Sequence, residues 1–174
     1  MSAADDRGLE DILDRLRSRF YGKYRGIVTS VDVTTMRVRA LVPAVLGDTE
    51  TGWCMPCVPY AGPKTGFAFL PAEGSGVWIE FEGGDVSYPI WVGGYWREGE
   101  FPSDAADQVK VIITAAPHKL EFDDDQGSVT LSDPNGNTVT LASSGMTLAN
   151  GDSISIVVSS SSVSVNDGAL EVQS

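Results

Sequence analysis

Two adjoining stretches, Gly76-Val-Trp-Ile-Glu-Phe-Glu-Gly-Gly-Asp85 and Val86-Ser-Tyr-Pro-Ile-Trp-Val-Gly-Gly-Tyr-Trp96, together predict a β-hairpin. Apolar residues at every second position of the first stretch give the period-two pattern of a strand. Its closing Gly-Gly pair tolerates the positive φ that a tight turn needs. The returning strand is expected at residues 88–96, and its own Gly-Gly pair predicts a bulge or bend.

The residues before this hairpin predict more strands. Residues 24–32 and 36–42 alternate in polarity, and residues 55–60 and 67–70 are shorter apolar runs. Glycine and proline separate them, as expected of turns. About five strands in roughly 75 residues fit a small closed β-barrel over residues 24–97, and the five-stranded OB-fold is one such architecture.

An amphipathic helix is expected ahead of the barrel, in the segment 1–23. Its apolar residues recur at helical spacing on one face, while acidic and basic residues fill most of the other. Such a stripe either packs on its own domain or docks on a partner. The apolar residues concerned are Leu9, Ile12, Leu13, Leu16 and Phe20.

A polar, Gly- and Pro-containing linker is expected at 98–107, and a repetitive segment follows it at 108–174. Short apolar–polar–apolar triplets recur there, separated by turn residues. The triplets begin at Leu120, Val129, Val139, Met146, Ile154, Val163 and Leu170. Because such short strands bury little surface alone, the repeat indicates stacking, either within one chain or between identical chains.

Three copies of this segment would place their Leu, Ile, Val and Phe side chains in a thin central core, with Ser, Thr and Asp outside. We therefore predict an all-β protein whose repeats stack within one chain or between three chains. A disordered Ser/Gly/Asp tail is the alternative, and the regular β-branched alternation argues against it. The core candidates are Leu120, Phe122, Val129, Leu131, Val139, Leu141, Ile154, Ile156, Val163 and Val165.

The charge distribution narrows the function classes. The net charge is −12, and residues 98–174 contain only two lysines against twelve acidic residues. Such a segment repels a phosphate backbone, so we expect no nucleic-acid partner. No apolar run reaches the roughly 18 residues of a membrane helix. The polar N-terminus does not look like a signal peptide, which predicts synthesis in the cytoplasm.

No residue set predicts catalysis, a metal or a cofactor. Cys54-Met-Pro-Cys57 has redox or zinc spacing, but it lacks a βαβ context and two further zinc ligands, so structural thiols are expected. His118 is the single histidine and offers no catalytic pair. Asp123-Asp124-Asp125 lacks the spaced ligands of a calcium loop and is expected to be a solvated turn.

The chain resembles the phage baseplate assembly protein V and central tail-spike family of contractile injection systems. The resemblance rests on Tyr24-Arg-Gly-Ile-Val, on the hairpin quoted above, on His118-Lys-Leu-Glu-Phe-Asp-Asp and on Asp133-Pro-Asn-Gly-Asn-Thr-Val-Thr-Leu. It implies a non-enzymatic homotrimer with a five-stranded OB-fold collar and a C-terminal needle, which is a triple-stranded β-helix or prism formed by three chains. It places the protein in a phage tail, a type VI-like system or an extracellular injection particle.

The resemblance also implies partners. A hub protein at the tail-tube end would take the N-terminal stripe from Leu9 to Phe20, and the needle would point at the target membrane. Family members that end in a His-x-His pair hold iron at the tip, but this chain has no histidine after His118. Leu170 and Val172 are therefore expected to form an apolar end capped by a PAAR-type tip protein, or else a blunt uncapped end.

The alternative function is an OB-type module that binds nucleic acid or oligosaccharide and carries an acidic β-repeat tail. Four aromatic residues favour it, namely Trp78, Trp91, Tyr95 and Trp96. It lacks the basic groove on which single-strand binding normally relies. The repetitive segment separates the two hypotheses, because a binding module has no need of stacked β-strands.

Overall fold

The computed structural model describes residues 12–14, 16–151 and 154–173. The chain divides into two compact units, with the boundary between Glu100 and Phe101. That boundary falls inside the predicted linker. Lys119 pairs with Asp104 at 2.9 Å, so the second half of the linker is fastened to the second unit. No helix in the described ranges is long and apolar enough to cross a bilayer.

The first unit is built on one five-stranded sheet and a small separate hairpin. Its sheet has the strand order β2-β1-β6-β7-β3, antiparallel except for the short parallel β3–β7 pair. A short helix, α1, at Pro43–Leu46 links β2 to the following loop. The strands are β1 Tyr24–Asp32, β2 Arg37–Leu41, β3 Met55–Pro56, β4 Ala61–Gly62, β5 Thr65–Gly66, β6 Gly76–Phe81 and β7 Pro89–Tyr95.

The core of this unit lies on the concave face of the curled sheet. Alternation along β2 and β6 points every second side chain inward, where it is removed from water. Trp91 reaches across to donate its indole N–H to the carbonyl of Met36 at 3.3 Å. The buried apolar set is Val28, Val38, Ala40, Val42, Cys54, Val77, Ile79, Phe81 and Trp91.

The hairpin predicted from the sequence is confirmed. A 3-10 turn at Glu82–Gly84 joins β6 to β7, and both of its glycines have positive φ, at +56° and +77°. The predicted bulge is present as well, because Trp78 faces Gly93 while the next residue, Ile79, faces Trp91. One extra residue therefore lies in β7 at this point.

Two strand predictions in this unit were wrong. Residues 67–70 form no strand, and of residues 55–60 only Met55–Pro56 does. The residues between them, interpreted as a separator, instead form the β4–β5 hairpin, whose turn includes Lys64 at a φ of +60°. Phe67 and Phe69 stack on each other at 4.6 Å. Their apolar character therefore reflects local ring packing rather than a place in a sheet.

The second unit is one eight-stranded antiparallel meander in which each strand pairs with the next along the chain. Each of the seven predicted triplets lies in its own strand, and the repeats stack within the chain. The first strand, β8, contains none of the predicted triplets. The strands are β8 Val109–Ile113, β9 Lys119–Asp123, β10 Ser128–Ser132, β11 Asn137–Ala142, β12 Gly145–Asn150, β13 Ile154–Val158, β14 Ser162–Val165 and β15 Leu170–Gln173.

Candidate assembly surfaces

One face of the meander is predominantly apolar, and its polar members are Lys110 in β8 and Asn137 and Asn150 at strand ends. Residues directly opposite each other in antiparallel strands point to the same side, and the register sets Val139 opposite Leu148 and Leu148 opposite Ile156. Extending this register brings together every predicted trimer-core residue. The face comprises Ile112, Leu120, Phe122, Val129, Leu131, Val139, Leu141, Met146, Leu148, Ile154, Ile156, Val158, Val163, Val165, Leu170 and Val172.

The sequence-based core set was incomplete on this face. Met146 and Leu148 belong to a predicted triplet but are absent from the predicted core set. Ile112 lies on β8, which contains no predicted triplet. Val158, the last residue of β13, extends the face beyond the triplet. The signal for Met146, Leu148 and Val158 was present, since each continues the period-two alternation of its strand. Ile112 carried no such signal, because the alternating apolar residues of β8 are Val109, Val111 and Ile113 on the opposite face.

The opposite face is mostly polar, apart from the larger apolar side chains of Val109, Val111 and Ile113 of β8 and Val157 of β13. Glu121, Thr130, Thr140 and Thr147 follow one another across four strands, and the Thr130 and Thr140 hydroxyls lie 3.4 Å apart. These threonines are half-buried, whereas Leu131 and Leu148 on the apolar face are 55% and 50% exposed. The large apolar groups are thus the ones left in water within a single chain.

Such a face is unstable when uncovered. Burying apolar surface contributes about 25 cal/mol per Å², and soluble monomers rarely expose contiguous apolar patches beyond a few hundred Å². The sixteen apolar residues on one side of the eight strands form one contiguous patch, unlike the single apolar residues scattered over an ordinary protein surface. We conclude that this face is an assembly surface.

A second apolar surface lies in the N-terminal segment, where residues 12–14 and 16–17 are helical. Ile12, Leu13 and Leu16 are 56%, 40% and 60% exposed. Leu9 lies outside the described residues. Phe20, predicted to share the docking stripe, instead packs edge-on against Tyr24 and Phe81 of the barrel. It therefore anchors the segment, and among the described residues the exposed stripe comprises Ile12, Leu13 and Leu16.

Ion pairs fix the anchor on both sides. Arg19 pairs with Asp85 at 3.1 Å, and Lys23 pairs with Glu80 at 2.7 Å. The pKa of Asp85 is lowered, first by the backbone amide of Ser87 and further by the Arg19 guanidinium. Both pairs are partly exposed, so each contributes modestly and mainly fixes geometry.

The far end of the meander is a third candidate surface. In β15 every residue is exposed, and Leu170 and Val172 are each 62% exposed. Among the described strands β15 pairs only with β14, so one edge of its backbone faces outward. The predicted tip residues thus combine an apolar face with an open sheet edge.

The structure places each of the sequence features that have potential chemistry. Cys54 is buried beside Thr51, and burial raises its thiol pKa, while Cys57 is exposed and both are free thiols. His118 is exposed in the turn before β9, and Asp124 pairs with Lys110. No group of three or more metal-ligating side chains occurs among the residues that the structure covers.

Comparison with protein families agrees with this geometry. Residues 24–96 match the type VI secretion system and phage-baseplate injector OB domain, and residues 109–171 match the phage baseplate V C-terminal trimerisation domain. No curated protein matches the chain. An injector OB domain followed by a trimerisation domain defines a structural component of a baseplate. The chain belongs to the phage baseplate V family, and its apolar sheet face lies in the trimerisation domain.

Proposed function

We propose that three copies of this chain form the central spike of a contractile injection apparatus. Residues 24–97 would form the collar, 98–107 the linker and 108–174 the needle. The observation that carries the proposal is the continuous apolar face of the meander. It gives the trimerisation domain a surface that three chains bury together around one axis.

Simple geometry supports a triangular prism. A strand of five residues spans about 17 Å. A triangular prism with sides of about 17 Å places each sheet about 5 Å from the axis, which is half of the roughly 10 Å spacing of packed sheets. Eight strands at about 4.8 Å spacing give a rod on the order of 35 Å long. One meander per side therefore fills the interior with its own side chains and leaves no channel.

The spike's proposed task is mechanical. The hub at the tube end would bind Ile12, Leu13 and Leu16, and a PAAR-type tip protein would cap Leu170 and Val172. Contraction would then drive the acidic, hydroxyl-covered needle through the target membrane. A rod of three meanders suits this load because each apolar face is buried only while all three chains stay together.

The first test separates the two faces of one strand. Leu148→Glu places a charge on the apolar face, and Thr147→Glu places the same charge on the opposite face. In sedimentation velocity, the wild-type chain and Thr147→Glu should sediment as elongated trimers. Leu148→Glu should shift the population toward monomer, since three carboxylates would be buried near the axis.

The second readout is function in the particle. Particles lacking their own copy of this protein should regain injection with the wild type or Thr147→Glu, and Leu148→Glu should fail. A monomeric wild type, or a Leu148→Glu variant that remains a stable trimer, would refute the prism. A trimer without any contribution to injection would refute the spike and favour a purely structural baseplate role.

A further inference from the structure

The segment between β3 and β6 contains an exposed stretch that is anchored to the barrel at both ends. Val58 and Leu70 pack against the barrel core, whereas every residue between 59 and 69 is exposed. We term residues 59–69 the arm. Its two strands, β4 and β5, pair only with each other among the described strands. No described part of its own chain therefore covers the arm.

The arm and the residues beside it are almost uncharged. Residues 51–72 contain one charged side chain, Lys64, whereas charged residues make up 21% of the whole chain. The large exposed side chains of the arm are instead aromatic, namely Tyr60, Phe67 and Phe69. Depletion of charge together with enrichment in aromatic residues distinguishes the core of a protein interface from ordinary surface. This composition indicates that the arm is covered when the protein assembles.

The arm has a defined shape before any partner binds. The backbone amide of Phe67 donates to the carbonyl of Tyr60 at 2.9 Å, and the Tyr60 and Thr65 hydroxyls lie 3.2 Å apart. The Phe67 and Phe69 rings stack with their centroids 4.6 Å apart, so they form one apolar surface. A surface that is already ordered loses little conformational entropy when it docks.

The short connection to the trimerisation domain points to a second copy as the partner. Arg97 donates both to Glu100 and to a backbone carbonyl of the barrel, and Lys119 of the second unit pairs with Asp104. The stretch from Glu100 to Asp104 spans at most about 14 Å. Trimerisation through residues 109–171 would therefore hold three barrels at an effective concentration on the order of millimolar. Even a weak contact between barrels is occupied at that concentration.

Charge favours the same partner. The one charge of the arm, Lys64, is positive, and it has no hydrogen bond or ion pair within the part of the chain that the structure describes. The remainder of residues 1–100 contains nine basic and fourteen acidic residues, so the surface of a neighbouring barrel is acidic on balance. A closed ring of three forms when each copy contacts the next through two different patches.

We propose that each arm docks on the barrel of the adjacent copy, with Phe67 and Phe69 buried in the contact and Lys64 facing acidic residues of that barrel. The partner is a second copy of this chain. The contact rests on the proposed trimer, but it does not depend on the piercing role of the spike. It gives the barrels an interface of their own in addition to the apolar face of the meander.

Limited digestion with trypsin tests the docking on the full-length chain. Lys64 is the only lysine or arginine between Arg39 and Arg97, so cleavage after it is identified by mass spectrometry from a fragment that begins at Thr65. Cleavage of a transiently opened site follows the population of the open form. The trimeric wild type should therefore be cut after Lys64 about ten-fold more slowly than the monomeric Leu148→Glu variant.

Two further variants identify the surface responsible for this protection. Phe67→Ser combined with Phe69→Ser should leave the protein trimeric but remove the protection, because the apolar part of the contact is lost. Tyr88→Ser removes an exposed ring outside the arm and should keep the protection. In the Leu148→Glu background, the double variant should be cut at the same rate as Leu148→Glu alone, because no second copy is present to cover the arm.

Sedimentation of the same samples distinguishes the docking from the trimer itself. A trimeric wild type that is cut after Lys64 as fast as the Leu148→Glu monomer would overturn the docking and leave the spike standing. Loss of both phenylalanines that accelerates cleavage equally in trimer and monomer would show that the rings only stiffen the arm, and this would also overturn the docking. A wild-type chain that sediments as a monomer would remove both proposals.

Discussion

The backbone amide of Phe20 donates a hydrogen bond of 2.8 Å to the carbonyl of Gly84, and this bond ties the N-terminal segment to the β6–β7 turn. Gly84 is buried and has a φ of +77°. A Cβ atom at this position would lie 3.0 Å from the Cβ of Arg19 and 3.1 Å from the nitrogen of Phe20. The turn glycine is therefore also the contact point of the segment that carries the exposed apolar stripe.

Replacing Gly84 tests this contact, and Gly83 provides the matched control. Both have positive φ, but a Cβ on Gly83 meets nothing within 4 Å. Gly83→Ala should lower the free energy of unfolding of the barrel by about 1 kcal/mol through backbone strain alone. Gly84→Ala should lower it by about 2 kcal/mol or more, because the segment must also move away.

Tryptophan fluorescence during urea unfolding measures this difference selectively. All four tryptophans, Trp53, Trp78, Trp91 and Trp96, belong to the first unit. Equal losses in the two variants would show that the Phe20–Gly84 contact contributes nothing beyond the turn conformation.

The barrel could be predicted from the sequence where local signals and tertiary packing agree. The hairpin was predictable because alternating apolar residues, paired glycines and a bulge signal occur in one continuous stretch. Residues 67–70 were not, because short apolar runs carry no period. Phe67 and Phe69 stack on each other, and periodicity cannot distinguish such a local pair from a strand.

The existence of an apolar face on the repeats was predictable from the sequence, but the full set of its residues was not. Its period-two alternation determines which residues point together once the strands pair, and all the predicted core residues do lie on one face. The sequence did not reveal which apolar residues of the N-terminal segment anchor it to the barrel and which remain exposed. Phe20 follows the same helical spacing as Leu16, and only the barrel surface distinguishes them, because it provides Tyr24 and Phe81 as ring partners for Phe20.

That division yields a second prediction. Leu16→Ser should leave unfolding of the barrel unchanged, because its side chain is 60% exposed. It should reduce incorporation of the spike into particles, since an apolar docking contact is lost. Phe20→Ser should instead destabilise the barrel by about 2–4 kcal/mol by removing a ring from its core edge.

Particle incorporation, measured by quantifying the spike in purified particles, and urea unfolding of the free chain separate the two effects. If Leu16→Ser incorporates as well as the wild type, the exposed stripe is not the hub contact.

A third prediction concerns pH. Donation from the Asn137 side chain, followed by its backbone amide and by Asn135, lowers the pKa of Asp133 to about 2. The carboxylate is thus stabilised in the folded state relative to an unfolded value of 3.8. The contribution is fully present above pH 4 and is lost as the pH falls toward 2.

Asp133→Asn removes this titration. The variant should be less stable than the wild type at pH 6, and the difference should shrink steadily between pH 4 and pH 2. Thermal unfolding of the needle, followed by circular dichroism across that range, measures the difference. A stability difference between the two proteins that stays constant down to pH 2 would show that the stability of the turn does not depend on the charge of Asp133.

The last prediction concerns the tip, where β15 offers two neighbouring residues on opposite faces. Val172 lies opposite Val163 on the apolar face, whereas Gln173 points to the other side. Val172→Glu should preserve the trimer, because seven further strands keep their apolar faces buried. It should lower injection by assembled particles, since three carboxylates around the axis would repel an apolar cap. Gln173→Glu, with the same added charge, should inject like the wild type. Equal injection by both variants, with intact trimers in sedimentation, would exclude Val172 from tip docking and favour the blunt, uncapped end.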